Sequence, residues 1–345
     1  MAPQLIFGTA SFGGPQTAFQ DVGDVRTLLR ALRDASIQHL DTGARYPPTN
    51  MGRSEQLIGE AAKDEFADFI VDTKVFTDAT KDGSGDLTED AIGKSVDASL
   101  ERLQRSSVSQ MRNAILGRVN VLHVHRADPS TPLEEQIRAF NNQITEGRCK
   151  ETSVIGHPVL KFQWGISNML PPMLEELLQF CEKNGWKKPT CYQGQYNLVT
   201  RGMETKLLPT LRAHNISYNA FMPLAAGFLT GKLTNNDHAG TRFADDHPLS
   251  NTAQKMFGGE ELFHAMKIFD EKVKAQGLET VEVALRWIAH HSALGDGDGI
   301  VIGASKVEQA VSTANLIKKG PLPGAILVAV ERIWKHVEKV RGDII

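Results

Sequence analysis

The chain has 345 residues, of which 41% are hydrophobic and 23% are charged, and its formal net charge is −3. This composition can bury a full core and fits one large domain or two of ordinary size. The mild charge and the lack of lysine or arginine tracts argue against nucleic-acid and membrane partners, so a small molecule is the expected ligand.

Cysteine usage and the N-terminal segment bear on the compartment. Cys149, Cys181 and Cys191 have no C-x-x-C spacing, which argues against a disulfide framework and a zinc knuckle. No cationic region with a long apolar run opens the chain, and no run reaches the roughly 18 apolar residues of a membrane span. We expect a cytoplasmic protein. Its oligomeric state stays open, with a homodimer as one option.

Short apolar runs alternate with longer segments of helical spacing. The eight strand candidates begin with LIFGTASF and IQHLDTG and end with ISYNAFMPL and GIVIGAS. Helices are predicted between them, including 21–35, 90–103, 132–146, 172–184, 204–214 and 280–291. This alternation predicts a single-domain (β/α)8 TIM barrel over 1–345, with a helical tail from about residue 320.

An open doubly wound sheet is the competing fold, but the spacing G-x-G-x-x-G is absent after the first strand, where the chain reads FGTASFGG. Two segments, 109–119 and 149–160, interrupt helix-to-strand connections that normally hold about 2 to 6 residues. The chain would read smoothly without them. We therefore interpret both as atypical insertions, and our hypothesis is that they are translated introns or gene-model errors.

Four polar residues follow the ends of neighbouring predicted strands: Asp41, Tyr46, Lys74 and His125. Chemistry in a barrel gathers at the carboxyl ends of strands. A phenol with a pKa near 10 is a poor acid at neutral pH, and a nearby ammonium can lower that pKa. Lys74 could be this ammonium, Asp41 its partner, and His125 the group that orients a carbonyl oxygen.

Each of these residues also has a structural interpretation. Asp41 could cap a turn, Tyr46 could be a surface aromatic, and Lys74 could pair with Asp72 in its own strand. His123 and His125 together form an H-x-H pattern, which leaves open a metal-dependent barrel hydrolase. Further ligands of that alternative would come from His290, His291 or His157. The catalytic interpretation depends on the four residues as a set.

An ordered series of motifs resembles the aldo-keto reductase superfamily, most closely its aflatoxin-aldehyde-reductase-like branch and related fungal enzymes. The motifs are LIFGTASFGG, DTGARYPPTNMGRSEQLIG, DTKV, LHVHRADPSTPLEE, QWGISN, YQGQYN, MPLAAGFLTGKL and IVIGASKVEQ. They extend from about residue 4 to 318. The resemblance implies a (β/α)8 barrel, a catalytic set of Asp41, Tyr46, Lys74 and His125, and the cofactor NADPH without a separate binding domain.

The resemblance also implies a cofactor site. Ser167, Asn168 and Gln193 match the groups that hold the carboxamide, and Phe221 matches the aromatic ring stacked on the nicotinamide. The remaining matched positions are Gly8, Thr9, Leu224, Ala225, Gly227, Leu229, Lys232, Arg242, Gly303, Ser305, Lys306 and Gln309. Lys306 and Arg242 could neutralise a 2′-phosphate. The chain departs from the family at Ser312 and Thr313, where the family commonly has Glu and Asn near the adenine.

We therefore interpret the chain as an NADPH-dependent reductase of aldehydes or ketones that acts in xenobiotic-aldehyde or secondary metabolism and needs no metal. A non-catalytic, NADPH-binding redox-sensing subunit of the same fold is an alternative, besides the hydrolase. Substrate walls are expected from loops at 47–51, 126–130 and 234–257 and from the C-terminal tail. The physiological substrate does not follow from the sequence.

Overall fold

The computed structural model describes residues 3–78, 80–105, 119–146, 163–233, 237, 241–247 and 249–344. Eight parallel strands pair in chain order, and the last pairs with the first, which closes a barrel. The strands are β1 (Gln4–Gly8), β2 (His39–Asp41), β3 (Ile70–Lys74), β4 (Leu122–His123), β5 (Trp164–Ser167), β6 (Cys191–Gln195), β7 (Ser217–Phe221) and β8 (Gly299–Ile302). The predicted (β/α)8 barrel and its eight strands are confirmed.

Twelve α-helices surround the barrel in the described part of the chain. They are α1 (Val22–Asp34), α2 (Arg53–Ala61), α3 (Glu89–Arg102), α4 (Leu133–Thr145), α5 (Pro171–Asn184), α6 (Met203–Lys206), α7 (Leu208–Ala213), α8 (Ser250–Phe257), α9 (Glu260–Lys274), α10 (Thr280–His290), α11 (Val307–Lys318) and α12 (Gly324–Arg341). α8 lies within the segment 234–257 that was expected to be a loop. α12 occupies the place of the predicted helical tail.

The prediction of one helix over 204–214 is wrong. The chain forms α6 and α7, and Leu207 between them has φ −129° and ψ −48°. Pro209 explains the break, because proline has no N–H for the carbonyl of Thr205 and its ring would clash with that carbonyl. The other five predicted helices lie within one or two residues of their expected bounds.

The helices bury one face against the barrel, as α1 illustrates. Asp21 caps its N-terminus by accepting a hydrogen bond from the Asp24 N–H, and the Asp24 side chain accepts from the backbone of Asp21 in return. Four of its apolar residues recur at helical spacing and are buried: Val25, Leu28, Leu29 and Leu32. Burial of such a stripe is the main force that holds each helix on the sheet.

The barrel interior is filled by side chains of alternating size. A Cβ at Gly165 would lie 2.3 Å from Nδ1 of His123, so the glycine makes room for that imidazole. A Cβ at Gly299 would likewise lie 2.4 Å from Oδ1 of Asn219. Polar groups therefore occupy the interior beneath the mouth of the barrel, where most barrels carry branched apolar residues.

The two atypical segments fall almost entirely outside the described residues, which resume at Val119 and Gln163. Val119 itself is buried in the core. No helix in the described ranges combines the length and apolar character needed to cross a bilayer.

Candidate active site

Asp41 and Lys74 form a buried ion pair at the mouth of the barrel. The Lys74 ammonium donates to both Asp41 carboxylate oxygens, at 2.6 and 2.7 Å, and to the Thr42 carbonyl at 2.8 Å. Only 1% of the Lys74 side chain is exposed. Burial lowers the pKa of Lys74, but the charges of Asp41 and Tyr46 and the hydrogen bonds to Asp41 outweigh it, so the pKa lies above its ordinary value. Lys74 is therefore held as an ammonium.

Tyr46 and His125 meet above this pair. The phenol oxygen of Tyr46 lies 3.4 Å from Nε2 of His125, and the two rings are perpendicular at a centroid distance of 5.4 Å. The Lys74 nitrogen lies 5.1 Å from the Tyr46 ring centroid. All four residues expected to act together are thus in one place. Tyr46 and His125 are half-buried, whereas Asp41 and Lys74 are buried.

The expected lowering of the phenol pKa is wrong as a net effect. Burial raises the pKa of Tyr46, and the positive charge of Lys74, which lowers it, does not fully compensate. The net pKa lies above its ordinary value, so the phenol is protonated at neutral pH. The residue is consequently poised to donate a proton, and Lys74 limits the cost of the negative charge that donation leaves behind.

His125 is neutral. Burial lowers its pKa well below the ordinary value, and the charges of Lys74 and Arg45 lower it further. Its Nδ1 has no hydrogen-bond partner among the described residues. A neutral imidazole that carries its proton on Nε2 can donate a hydrogen bond to an oxygen beside Tyr46.

A second layer of ionisable groups, formed by Asp72, His39 and His123, lies beneath the four residues. Asp72 accepts hydrogen bonds from His39 at 2.8 Å and from Asn120 at 2.7 Å. Both ring nitrogens of His123 lack partners in the described structure. Burial lowers the pKa of His123 to about 4, so this imidazole is neutral.

This layer bears on the metal-hydrolase alternative. Ligand atoms of Asp41, Asp72 and His123 lie within 4.8 Å of one another. However, Asp41 is paired with Lys74, and Asp72 is paired with His39. Both carboxylates therefore already have a partner, which leaves little negative charge to attract a divalent cation. The cluster therefore gives little support to a metal site.

The other histidines of that alternative are placed elsewhere. His125 is not part of the cluster. His290 lies 2.9 Å from the Ile317 carbonyl and His291 accepts from the Leu322 N–H, so both serve the outer helices. His157 lies outside the described residues. Among the described residues, the histidines proposed as metal ligands are not brought together at one site.

The residues expected to hold a carboxamide lie beside this site. Ser167 is the last residue of β5 and Asn168 follows it. The Asn168 side-chain nitrogen lies 3.0 Å from the Ser167 hydroxyl and 3.4 Å from the His125 carbonyl. Gln193 of β6 donates from Nε2 to Asp41 at 2.8 Å. The Asn168 and Gln193 amides thus use their N–H groups within the protein, which leaves both amide oxygens able to accept.

Gly8 and Thr9 support the end of β2 at Asp41. Gly8 pairs with Asp41 across β1 and β2. Thr9 is completely buried, and its hydroxyl lies 3.1 Å from the Asp41 carbonyl and 2.9 Å from the Ser54 hydroxyl. The Thr9 hydroxyl therefore holds the end of β2, and its burial leaves it no accessible surface for a cofactor.

The turn after Phe221 contains the next group of expected residues. Ala225 and Gly227 have φ values of 50° and 102° within the 3-10 segment Ala225–Thr230. Ala225 and Leu229 are fully buried and offer no accessible surface to a ligand, whereas Gly227 is half-buried. Leu224 is half-buried, and exposed Lys232 lies 3.7 Å from Asp237.

Most of the remaining residues that were expected to bind the cofactor lie at or just before the start of α11. The N–H and hydroxyl of Ser305 lie 2.8 and 3.0 Å from the Gln309 side-chain oxygen. Lys306 stands at the N-cap without a side-chain capping bond, and Gly303 faces open space. Arg242 has no ion pair within the described ranges, and burial lowers its pKa. Lys306 and the unsatisfied N–H groups of the first turn of α11 therefore offer an anion a cationic helix start, whereas the charge of Arg242 interacts with Tyr46.

Two arginines beside Tyr46 and His125 were given no individual role from the sequence, although 126–130 was expected to form part of the substrate wall. Arg45 directly precedes Tyr46, and Arg126 directly follows His125. Asp128, in the same loop as Arg126, accepts hydrogen bonds from the Gly85 and Leu87 N–H groups and so ties two loops together. Adjacency to predicted catalytic residues was a sufficient signal for the arginines, and the D-P-S-T turn pattern was one for Asp128.

Comparisons with known proteins agree with this geometry. The chain matches the model of the aldo/keto reductase family over residues 4–335. It is 37% identical to an aldo-keto reductase of Pseudocercospora fijiensis over 226 residues, which cover 64% of this chain and 72% of that protein. It is 30% identical to aflatoxin B1 aldehyde reductase member 2 of Mus musculus over an alignment of 347 residues, which covers 98% of this chain and 86% of that protein. Oxidoreductase sirO of Leptosphaeria maculans is 31% identical over 346 residues, covering 98% and 95%.

Proposed function

The chain belongs to the aldo-keto reductase family, and from that premise we propose that it reduces an aldehyde or ketone with NADPH while Tyr46 supplies the proton. The family assignment makes the protein an oxidoreductase. One observation carries the finer proposal: the Lys74 ammonium bonds Asp41 at 2.6 Å and lies 5.1 Å from the Tyr46 ring, with His125 3.4 Å from the phenol oxygen.

The proposed proton transfer follows from the charges of these groups. Tyr46 is protonated at neutral pH because burial raises its pKa. As the carbonyl oxygen gains electrons, the phenol proton moves to it, and negative charge develops on the Tyr46 oxygen near the Lys74 ammonium. Asp41 keeps Lys74 charged at that depth. Neutral His125 donates a hydrogen bond to the same carbonyl oxygen and fixes its position.

The residues present fit a nicotinamide dinucleotide. A dinucleotide phosphate needs cations and free N–H groups, and the α11 N-terminus, Lys306 and Arg242 provide them without a competing ion pair among the described residues. Gln193 and Asn168 would accept from a carboxamide, and Phe221 would lie against the ring. Bound at this site, the cofactor would supply the hydride.

The preference for NADPH over NADH rests on Lys306 and Arg242, which would pair with a 2′-phosphate. We expect Lys306→Ala to weaken NADPH binding while NADH binding changes little. The comparison of the two cofactors by fluorescence titration checks this. Equal weakening of both would assign Lys306 to the pyrophosphate.

Tyr46→Phe tests the catalytic proposal. The variant keeps the aromatic ring but cannot donate a proton, so we expect cofactor binding within about twofold of wild type and a loss of turnover of about 10² to 10⁴-fold. The assay is reduction of 4-nitrobenzaldehyde, followed at the absorbance band of the reduced cofactor. Near-normal turnover by the variant would refute the role of Tyr46. Multiple turnovers by wild type would also rule out a purely redox-sensing subunit.

A further inference from the structure

Arg45 and Arg126 flank the place where a carbonyl would be reduced. Each is the chain neighbour of one member of the Tyr46 and His125 pair, whose rings are in contact. Both arginines are half-buried. Burial lowers the pKa of Arg45, and the like charge of Arg126 lowers it further. Both charges also contribute to the lowered pKa of His125. Two guanidinium groups therefore act on the same small volume.

Neither guanidinium has a hydrogen-bond or ion-pair partner in the part of the chain that the structure describes. Asp78 and Asp86 are near enough to favour the charge of Arg45, but neither forms an ion pair with it. Asp78 accepts from Thr80, and Asp86 accepts from the Asp78 N–H at 2.6 Å.

The Asp128 carboxylate also forms its hydrogen bonds with groups other than the two arginines. Its carboxylate accepts from the backbone N–H groups of Gly85, Leu87, Ser130 and Thr131, all within 3.1 Å. The acids of these loops thus hold the loops and leave the arginines for another anion. Two partly desolvated like charges without a counterion are unfavourable.

The arginines lie at other strand ends than Lys306, which is assigned to the cofactor. They follow β2 and β4, on either side of the strand that carries Lys74, whereas Lys306 follows β8. Arg242, which follows β7, is near enough to Tyr46 for their charges to interact. A cofactor that extends toward α11 would leave Arg45 and Arg126 free to contact the substrate.

We propose that Arg45 and Arg126 bind a carboxylate of the substrate, so that the preferred substrates are carbonyl compounds that also carry a carboxylate group. This inference rests on the proposed reductase function. Guanidinium groups match carboxylates in a bidentate geometry that lysine does not reproduce. The carboxylate would neutralise the arginines and hold the carbonyl against Tyr46 and His125.

The test compares two aldehydes of nearly equal shape, 4-carboxybenzaldehyde and 4-nitrobenzaldehyde, with NADPH. The variants are Arg45→Gln, Arg126→Gln and the double variant. Arg332→Gln is the matched control, because Arg332 is exposed on α12 and its loss changes the net charge equally. Each single variant should lower kcat/KM for the carboxylate relative to the nitro compound by about 10- to 100-fold, mainly through KM. Arg332→Gln should leave the ratio unchanged.

Arg45→Lys, which keeps the charge but not the bidentate geometry, should recover only part of the ratio. Equal losses on both aldehydes would overturn the proposal, because a disturbed active site would affect both substrates alike. An unchanged ratio would overturn it as well.

If wild type reduces neither aldehyde, the reductase proposal fails and calorimetric titration with 4-(hydroxymethyl)benzoate decides the anion site alone. Binding by wild type and by Arg332→Gln, with loss in the double variant, supports the site. No binding by wild type, or retained binding in the double variant, refutes it.

Discussion

Lys74→Met removes the buried ammonium and keeps a side chain of similar length. In the wild-type structure, this ammonium bonds Asp41 through both carboxylate oxygens and lies 5.1 Å from the Tyr46 ring. The substitution therefore has two effects that must be separated. It leaves a buried carboxylate with Gln193 as its remaining side-chain donor, and it removes the positive charge that favours proton release from Tyr46.

The second effect sets the rate. Taking 5.1 Å as the charge separation, a full negative charge on Tyr46 gains about 3 kcal/mol from the ammonium at an effective dielectric constant near 20. Only part of this charge has developed in the transition state, so the loss in kcat should be about 10- to 100-fold. Cofactor binding should change far less, because Lys74 is 1% exposed and offers no surface to a ligand.

The double variant Asp41→Asn, Lys74→Met separates the two effects, because it removes both charges of the pair. Breaking the pair singly should destabilise the fold by about 3 to 5 kcal/mol, and the double variant should recover much of that loss. Urea unfolding measures stability, and reduction of 4-nitrobenzaldehyde at saturating NADPH measures kcat. If the double variant regained wild-type kcat together with stability, Lys74 would serve only to neutralise Asp41.

Three further outcomes are expected. His123→Leu should retain most reductase activity and bind no metal by elemental analysis. His123 makes no hydrogen bond within the described residues, and an apolar replacement removes two unsatisfied nitrogens. Loss of activity in the variant, together with a bound metal in wild type, would favour the hydrolase. Burial lowers the pKa of His39, but Asp72 raises it more, so His39 contributes stability that is full below its unfolded pKa of about 6.5 and is lost as pH rises through its folded pKa. The unfolding free-energy difference between wild type and His39→Gln should therefore shrink as pH rises above about 6.5, and a difference that grows would refute the sign. Peptide mass spectrometry of the native protein should find no peptide from 109–119 or 149–160, and detection of either would refute their interpretation as translated introns or gene-model errors.

The barrel and the four central residues could be predicted because both depend on local sequence. Short apolar runs at regular intervals specify parallel strands, and the barrel brings every strand end to one mouth. Asp41, Lys74 and His125 each lie at or near such an end, so their meeting follows from topology. The break at Leu207 was equally local, since Pro209 stands in the sequence and could have been used to end the predicted helix.

The energetics of the site could not be predicted in the same way. The sign of the Tyr46 pKa shift depends on how far packing excludes water from the phenol, and burial outweighs the Lys74 charge. Arg45 and Arg126 have no acidic partner among the described residues because the nearby carboxylates form hydrogen bonds with loop residues instead. Asp128 could have paired with Arg126 by proximity in sequence, yet it bonds the backbone of another loop. Such competition between partners is decided only in three dimensions.

Asp41 connects the proton donor to the proposed cofactor site. One of its carboxylate oxygens accepts from both Lys74 and Gln193, although Gln193 lies 152 residues further along the chain. Because Gln193 donates to Asp41 through its amide nitrogen, its amide oxygen is the atom left to accept from a carboxamide donor. Asp41→Asn should therefore disturb two functions at once, through the charge of Lys74 and the orientation of Gln193. A change in cofactor affinity in Asp41→Asn that is absent in Lys74→Met would identify the second function separately from the first.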